Sequence, residues 1–282
     1  MSDNFYQRLS ENSKSKFYNV FAEITWPEKI DHQTYWMSPE LLSVDGTAQS
    51  DALSEEQKLS LSRWELVNLF GFFTQGEANL IRNVLLRLHN PSFRQVQNYF
   101  YHFIDEENKH MWFFKEFCLR YAGKIYPVKL IDLGQKEEQD VEDVKSFMRI
   151  LIIEEMGDYF NVVMKEDERL PKIVRTINHQ HHLDESRHIA MGRELISELV
   201  QQLRQCHSQD KISALGRFMD DYMKSCIENL YNPYVYQDVG LHDGYDLREQ
   251  LLADPARLEL HEKIWQRTKA FQRKLFPELA EA

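Results

Sequence analysis

Two five-residue strings constrain this chain more than any other feature. EENKH at 106–110 and DESRH at 184–188 each read acid, Glu, any residue, base, His. In a helix a spacing of three is nearly one turn, so Glu107 and His110 point the same way, as do Glu185 and His188. At about 100° per residue, Phe100, Phe103, Ile104, Met111 and Phe114 fall on the same side of the wheel as Glu107 and His110. Ionisable groups centred on the core-facing side of a helix are tolerated only if something inside the protein meets them. A chain with two such centres must fold around that something.

One Glu-x-x-His is a weak signal, because such pairs are ordinary on helix surfaces. Here, however, the helix before each copy carries a further carboxylate on an apolar stripe. Leu66, Phe70, Phe73, Leu80, Ile81 and Val84 share a face whose one charge is Glu77. Phe147, Ile150, Leu151 and Glu154 continue another, with adjacent Glu155 as the competing choice. His181 lies one turn before Glu185, so His181, Glu185 and His188 form one stripe, while His179 and His182 point elsewhere. The candidate ligands are therefore Glu77, Glu107, His110, Glu154, His181, Glu185 and His188. Four helices giving Glu, Glu-x-x-His, Glu and Glu-x-x-His is the arrangement of two-metal carboxylate centres in helical bundles. Two divalent ions about 3.5–4 Å apart repel, and bridging carboxylates offset that repulsion. Oxygen and imidazole donors without thiolates suit iron, with manganese not excluded, and argue against structural zinc.

The rest of the chain fits an all-α fold. Only 10 Gly and 8 Pro interrupt 282 residues, and no strand pattern stands out. Helices are expected from Ser54 to His89, with bends at Gly71 and Gly76, and from Pro91 to Ala122, stopped by Gly123. A loop over 124–137 carries Pro127 and Gly134. Further helices are expected over Glu138–Lys165, Pro171–Cys206, 209–231 (closed by Asn232-Pro233) and 254–275. Residues 1–52, with Pro27, Pro39 and Gly46, read as an irregular strap. The whole is one domain: a strap, a metal-binding bundle over 53–206 and accessory helices over 207–282.

A net charge of −11 argues against a wide nucleic-acid contact. No 18-residue apolar run is present, and the polar start lacks a signal-peptide core. Cys118, Cys206 and Cys226 are isolated, which fits a reducing cytoplasm. No GxGxxG loop points to a built-in flavin or nicotinamide site.

Metal-bound His usually donates its outer N–H to a carboxylate or carbonyl. Glu106 and Asp184, each just before a ligand Glu, are expected to accept it across the bundle, with Lys109 and Arg187 neutralising them. Asp158 and Asn161, one and two turns after Glu154, either line a substrate cavity or are polar residues at a helix end. Tyr222, Arg257 and His261 are candidates to hold a polar substrate group, against ordinary packing or surface roles.

Over about residues 20–275 the chain resembles the di-iron arylamine N-oxygenases, which are ferritin-like and add a third His to a Glu-rich ligand set. His181 takes that third place, Glu77 and Glu154 match the lone carboxylates, and Glu107/His110 and Glu185/His188 match the paired ones. The interval from Glu77 to Glu107 is shorter than in the family. The resemblance implies dioxygen activation at two ferrous ions through a peroxo-bridged diferric species, oxidising an aromatic amine to hydroxylamine, nitroso or nitro. It also implies an external electron donor or reductase, and a homodimer is the expected assembly. The alternatives are oxidation at carbon in the same site (hydroxylation, desaturation or oxidative cleavage) and a non-catalytic iron-binding protein.

Overall fold

The computed structural model describes residues 2–128 and 137–280, and among them every regular element is helical. Four long helices make the bundle: α4 (Glu55–Leu85), α5 (Gln97–Tyr121), α6 (Gln139–Met164) and α7 (Lys172–Cys206). Before them come α1 (Ser2–Ser15), α2 (Val20–Glu23) and α3 (Ala48–Ala52). After them come α8 (Gln209–Leu230), α9 (Pro233–Val239), α10 (Gly244–Ala253) and α11 (Pro255–Leu275). Among the described residues no helix is long and apolar enough to cross a membrane.

Local chemistry sets the ends. Ser54 and Gln57 close a reciprocal capping box at the start of α4: Gln57 N–H donates to Ser54 Oγ at 3.2 Å, and Ser54 N–H donates to Gln57 Oε1 at 2.9 Å. Gly123 follows α5 in the left-handed region, with φ 69°, where a side chain would be strained. Asn232 caps α9, and Pro233 takes its first position.

The bundle is held by α4 against α5 and α6 against α7. Its centre is dense with aromatic rings: Phe70, Phe73, Phe100, Phe103, Phe113, Phe114 and Phe117 are all fully buried. Helix α6 is covered on nearly every side, by α7, α8, α11 and α4. The accessory helices α8 and α11 therefore complete the core rather than decorate it.

Two expectations need correction. The N-terminal segment is not irregular throughout, because α1 lies on α5 and α7 with Tyr6, Leu9, Ser10 and Ser13 on its buried face. Two of those four positions are serine, which hides the apolar period. Pro91 opens a short 3-10 turn (Pro91–Phe93), and α5 starts only at Gln97. Helix α4 is continuous through Gly71 and Gly76. Gly71 admits Ile125, whose Cγ2 would lie 3.0 Å from a Cβ placed there. The expected loop over 124–137, including Gly134, falls mostly outside the described residues.

Candidate metal centre

All seven proposed ligands are buried, none more than 3% exposed. Glu77 comes from α4, Glu107 and His110 from α5, Glu154 from α6, and His181, Glu185 and His188 from α7. One donor atom each from Glu107, His110, Glu185 and His188 lie within 4.8 Å of one another, and so do donors from Glu77, His110 and His181. Glu107 offers one oxygen to each side, with Oε2 at 3.3 Å from His110 Nδ1 and Oε1 at 2.8 Å from His188 Nδ1. Glu185 Oε1 sits between three imidazoles, 2.7 Å from His181 Nε2, 3.5 Å from His110 Nδ1 and 3.7 Å from His188 Nδ1. Glu77 Oε1 is 3.5 Å from His181 Nε2, and Glu154 Oε2 is 3.7 Å from His188 Nδ1. Glu77 thus lies on the His110–His181 side, Glu154 on the His188 side, and Glu107 and Glu185 span the two.

The polar groups here are not satisfied by one another. Eleven buried side-chain polar atoms among the described residues lack a hydrogen-bond partner. Six of the eleven are here: Glu77 Oε2, Glu107 Oε1, Glu154 Oε1, both oxygens of Glu185, and His188 Nδ1. Several approach within contact distance yet are not aligned as donor and acceptor. Buried polar atoms are nearly always paired. A convergent set of buried carboxylate oxygens and imidazole nitrogens that do not pair with one another is what cations require, so the donor set fits two divalent metal ions.

The outer faces of the imidazoles are tied down. His110 Nε2 lies 3.0 Å from Asp184 Oδ2, and His188 Nε2 lies 2.9 Å from Glu106 Oε2. The pattern is crossed: α7 holds the α5 histidine, and α5 holds the α7 histidine. Arg187 then joins both carboxylates, donating to Glu106 Oε1 at 2.6 Å and to Asp184 Oδ1. His181 Nδ1 meets the Asn161 side chain, 2.7 Å from Nδ2 and 3.1 Å from Oδ1. An imidazole with its outer nitrogen fixed can aim only the other one inward.

Without metal these groups perturb one another strongly. Burial, then the charge of Glu107, pushes Glu77 well above the usual carboxylate range, and burial raises Glu185. For Glu107 burial works upward too, but His188 and His110 hold it below that range. Burial acts to lower both His110 and His188. Asp184 and Glu107 outweigh it at His110, and Tyr99, Glu107 and Glu185 outweigh it at His188, so both stay well above their ordinary value. His181 is pushed down by burial and by the charge of His110. The metal-free centre is thus a cluster of shared protons that metal ions must displace.

The remaining candidates divide. Glu155, the rival of Glu154, points away from the centre, pairing with Arg193 at 2.6 Å and accepting from Thr268 Oγ1 at 2.8 Å. Lys109 does not neutralise Glu106 or Asp184. It pairs with Asp105 at 2.5 Å and lies over the Phe17 ring, because the Arg187 fork already fills the space between the two carboxylates. Asn161 holds His181. Asp158 ties His182 Nδ1 at 2.6 Å to Arg267 at 2.7 Å. Arg257 and His261 meet Tyr231 beside a space of about 20 Å³, which accommodates water but no organic substrate. His261 also lines a cleft of about 670 Å³ beside α8, α10 and α11, and Tyr222 lines one of about 830 Å³.

Sequence reading missed Gly157. A Cβ there would lie 3.2 Å from His181 Cε1 and 3.6 Å from the Phe73 ring. A glycine within an apolar helix, three residues after a candidate ligand, was the available signal.

A family model for the p-aminobenzoate N-oxygenase AurF matches residues 2–275. No curated protein matches the chain. Among solved structures it is similar to a point mutant of R2-like ligand-binding oxidase with an aerobically reconstituted Mn/Fe cofactor, at 16% identity and TM-score 0.53. The same mutant reconstituted anaerobically gives 17% and 0.54, and another with a non-activated Mn/Mn cofactor gives 16% and 0.53. Each alignment covers 93% of this chain and 92% of the other. That likeness is one of fold, a ferritin-like bundle with added helices.

Proposed function

The chain belongs to the p-aminobenzoate N-oxygenase family and is a di-metal oxygenase, and from that premise we propose that it uses dioxygen at two iron ions to oxidise a small aromatic amine at nitrogen. The observation that carries this reading is the set of six unpaired donor atoms converging from four helices. We take Glu77, Glu107, His110, Glu154, His181, Glu185 and His188 as the ligands. The bound ions would supply the electrons and the place at which dioxygen is activated.

The chain's own residues do the rest. Asp184, Glu106 and Asn161 fix the three imidazoles so that Nδ1 of His110, Nδ1 of His188 and Nε2 of His181 face inward. Arg187 balances the charge of both outer carboxylates, so neither draws a proton from the centre. Phe73, Phe103, Phe113 and Phe114 surround the histidines and exclude bulk water, with Phe103 4.5 Å from the His188 ring and Phe114 5.0 Å from that of His181. The product is a hydroxylamine, nitroso or nitro compound. A separate reductase or small donor returns the electrons, and the working assembly is a homodimer.

The test loads the full chain anaerobically with ferrous iron, counts metal, then adds oxygen with and without arylamines. The expected result is two irons per chain, oxygen uptake, and nitrogen-oxidised product. One zinc per chain, no uptake, or products oxidised only at carbon would overturn the reading. Manganese in one position would revise the metal and leave the ligand assignment standing.

A further inference from the structure

From His181 an unbroken file of aromatic rings leads to the surface. The His181 ring lies 5.0 Å from Phe114, which is 4.6 Å from Phe70, which is 5.1 Å from Phe117. Phe117 meets Trp36 at 5.6 Å and Tyr121 at 5.2 Å. Trp36 and Tyr121 are 6.5 Å apart, Tyr121 is 6.3 Å from Trp26, and Trp26 is 5.8 Å from Trp112. Trp112 ends the file beside Phe21, which is 4.8 Å away and 68% exposed. Every step lies within ordinary ring contact, roughly 4.5–7 Å between centres. Three of the five tryptophans stand in the file; Trp64, half-buried like Trp112, meets Tyr126 instead.

The order of ring types along the file is graded. The three rings that follow His181 are phenylalanines, all fully buried. Phenylalanine is the hardest aromatic side chain to oxidise, so an oxidant at the metal centre is not intercepted beside it. Farther out stand Trp36, Tyr121, Trp26 and Trp112, whose ring types give up one electron readily. Their protons have no base to go to. Trp36 Nε1–H donates to the Asp31 carbonyl at 3.2 Å, Tyr121 O–H donates to the Pro27 carbonyl at 2.6 Å, and Trp26 Nε1 has no partner. A carbonyl accepts a hydrogen bond but does not take the proton. An indole can lose an electron and keep its proton, whereas a phenol must shed its own. An electron deficit therefore rests on Trp36 and Trp26 and crosses the Tyr121 ring between them. Arg120 lies over Trp26 at 5.5 Å and opposes a positive charge there, but Glu116 neutralises it at 2.6 Å. Tyr99, on the His188 side, is the poorer donor, because its buried hydroxyl has no partner to take the proton.

We propose that this file carries single electrons from the surface to the metal centre when no amine is present to be oxidised, so that Trp36, Trp26 and Trp112 spare the ligands from oxidation. The oxidant it answers to rests on the oxygenase reading above. Trp36 gives one electron inward through the three phenylalanines, Trp26 refills Trp36 across the Tyr121 ring, and Trp112 refills Trp26. Each hop moves one electron inward and one deficit outward, and breaks no bond. A one-electron reductant in solution, a thiolate or ascorbate, fills the last deficit on Trp112 and leaves oxidised by one electron. Where that reductant is withheld, Trp112 loses its indole proton to water and captures dioxygen, so that oxygen atoms are added to its ring.

The test exposes the iron-loaded full chain to dioxygen without amine or reductant. Visible absorption follows iron oxidation, and mass spectrometry of the digest maps oxygen added to each tryptophan. Metal-free protein treated alike gives the background. Wild type should gain oxygen at Trp112 well above Trp64, and ascorbate should abolish that gain. Trp36→Phe should lose the gain at Trp112 while its iron is still oxidised. Should Trp36→Phe fail to fold, the half-buried Trp26 carries the test, and Trp26→Phe should lose the same gain. A gain at Trp112 no larger than at Trp64, or one that persists undiminished in these variants, overturns the proposal; rings that merely pack would give that result. Iron that stays ferrous in dioxygen would sink the oxygenase reading instead. Hydrogen peroxide then serves as the oxidant in the same experiment, and the same pattern of gains decides the route.

Discussion

Six of the seven converging side chains were suggested by two repeated signals, a Glu-x-x-His pair and a lone Glu on an apolar stripe, and His181 by its place one turn before Glu185. The choice between Glu154 and Glu155 was not legible, and the reason is physical. Helix α6 is covered on nearly every side, both glutamates are 3% exposed, and a helical wheel needs a broad exposed side to set its phase. His182 shows the opposite case. It lies partly buried against Asp158 rather than in the centre. His181→Ala should therefore lower metal stoichiometry or affinity, while His182→Ala should leave metal binding intact and cost at most about 1 kcal/mol of stability from one lost hydrogen bond; equal loss of metal in both variants would contradict the assignment. Glu65 carries a separate prediction. Burial lifts its carboxyl from 4.5 to about 7, against hydrogen bonds from Ser43. A carboxyl raised in the fold binds more protons folded than unfolded. Its stabilising share is complete below pH 4.5 and is lost as pH climbs through 7. Glu65→Gln should flatten that slope, worth up to about 3 kcal/mol across the window, in denaturant melts from pH 5 to 8. An unchanged slope would place the proton elsewhere.

At the scale of elements, the long helices announced themselves and the short ones did not. Serines on the buried face of α1 blur its period, and α9 has only 7 residues, too few for a helical repeat to emerge. Gly157 governs how α6 and α7 meet at the centre, because the His181 ring occupies the place of its missing side chain. Gly157→Val should push that ring off its line toward Glu185 while leaving helix content unchanged. The expected readout is tighter metal retention in wild type than in Gly157→Val, by about tenfold or more for the weaker ion. Full occupancy of both positions in the variant would show that His181 tolerates displacement.

At the scale of the whole molecule, metal and fold are linked. Metal bound by the native state alone stabilises it by about 2.7 kcal/mol at a hundredfold excess over the dissociation constant, or about 5–10 °C in melting temperature for a chain of this size. The direction with pH follows from the centre. Glu77 and Glu185 are raised from 4.5, and His110 and His188 from 6.5, so the protons they hold steady the metal-free fold below those values and are lost as pH rises. Glu107, held below 4.5, acts oppositely, but only at acid pH. The gap between iron-loaded and metal-free melting temperatures should therefore widen from pH 5.5 to pH 8, within about the range given above; a gap that narrows would reverse the proton bookkeeping. The crossed clasps, Glu106 to His188 and Asp184 to His110, also have a mechanical consequence. They run between α5 and α7 in opposite senses, like diagonal braces in a frame, so sliding or rolling of either helix stretches one of them, and Arg187 bolts the two together. Helix α4 gives one carboxylate and lacks such a brace, whereas α6 is tied to α7 through Asn161, Asp158 and Glu155. When metal leaves, the frame should keep its shape along α5, α6 and α7 and loosen along α4, which amide hydrogen exchange on the two forms would register as protection lost around Glu77 but retained around His110, Glu154 and His188.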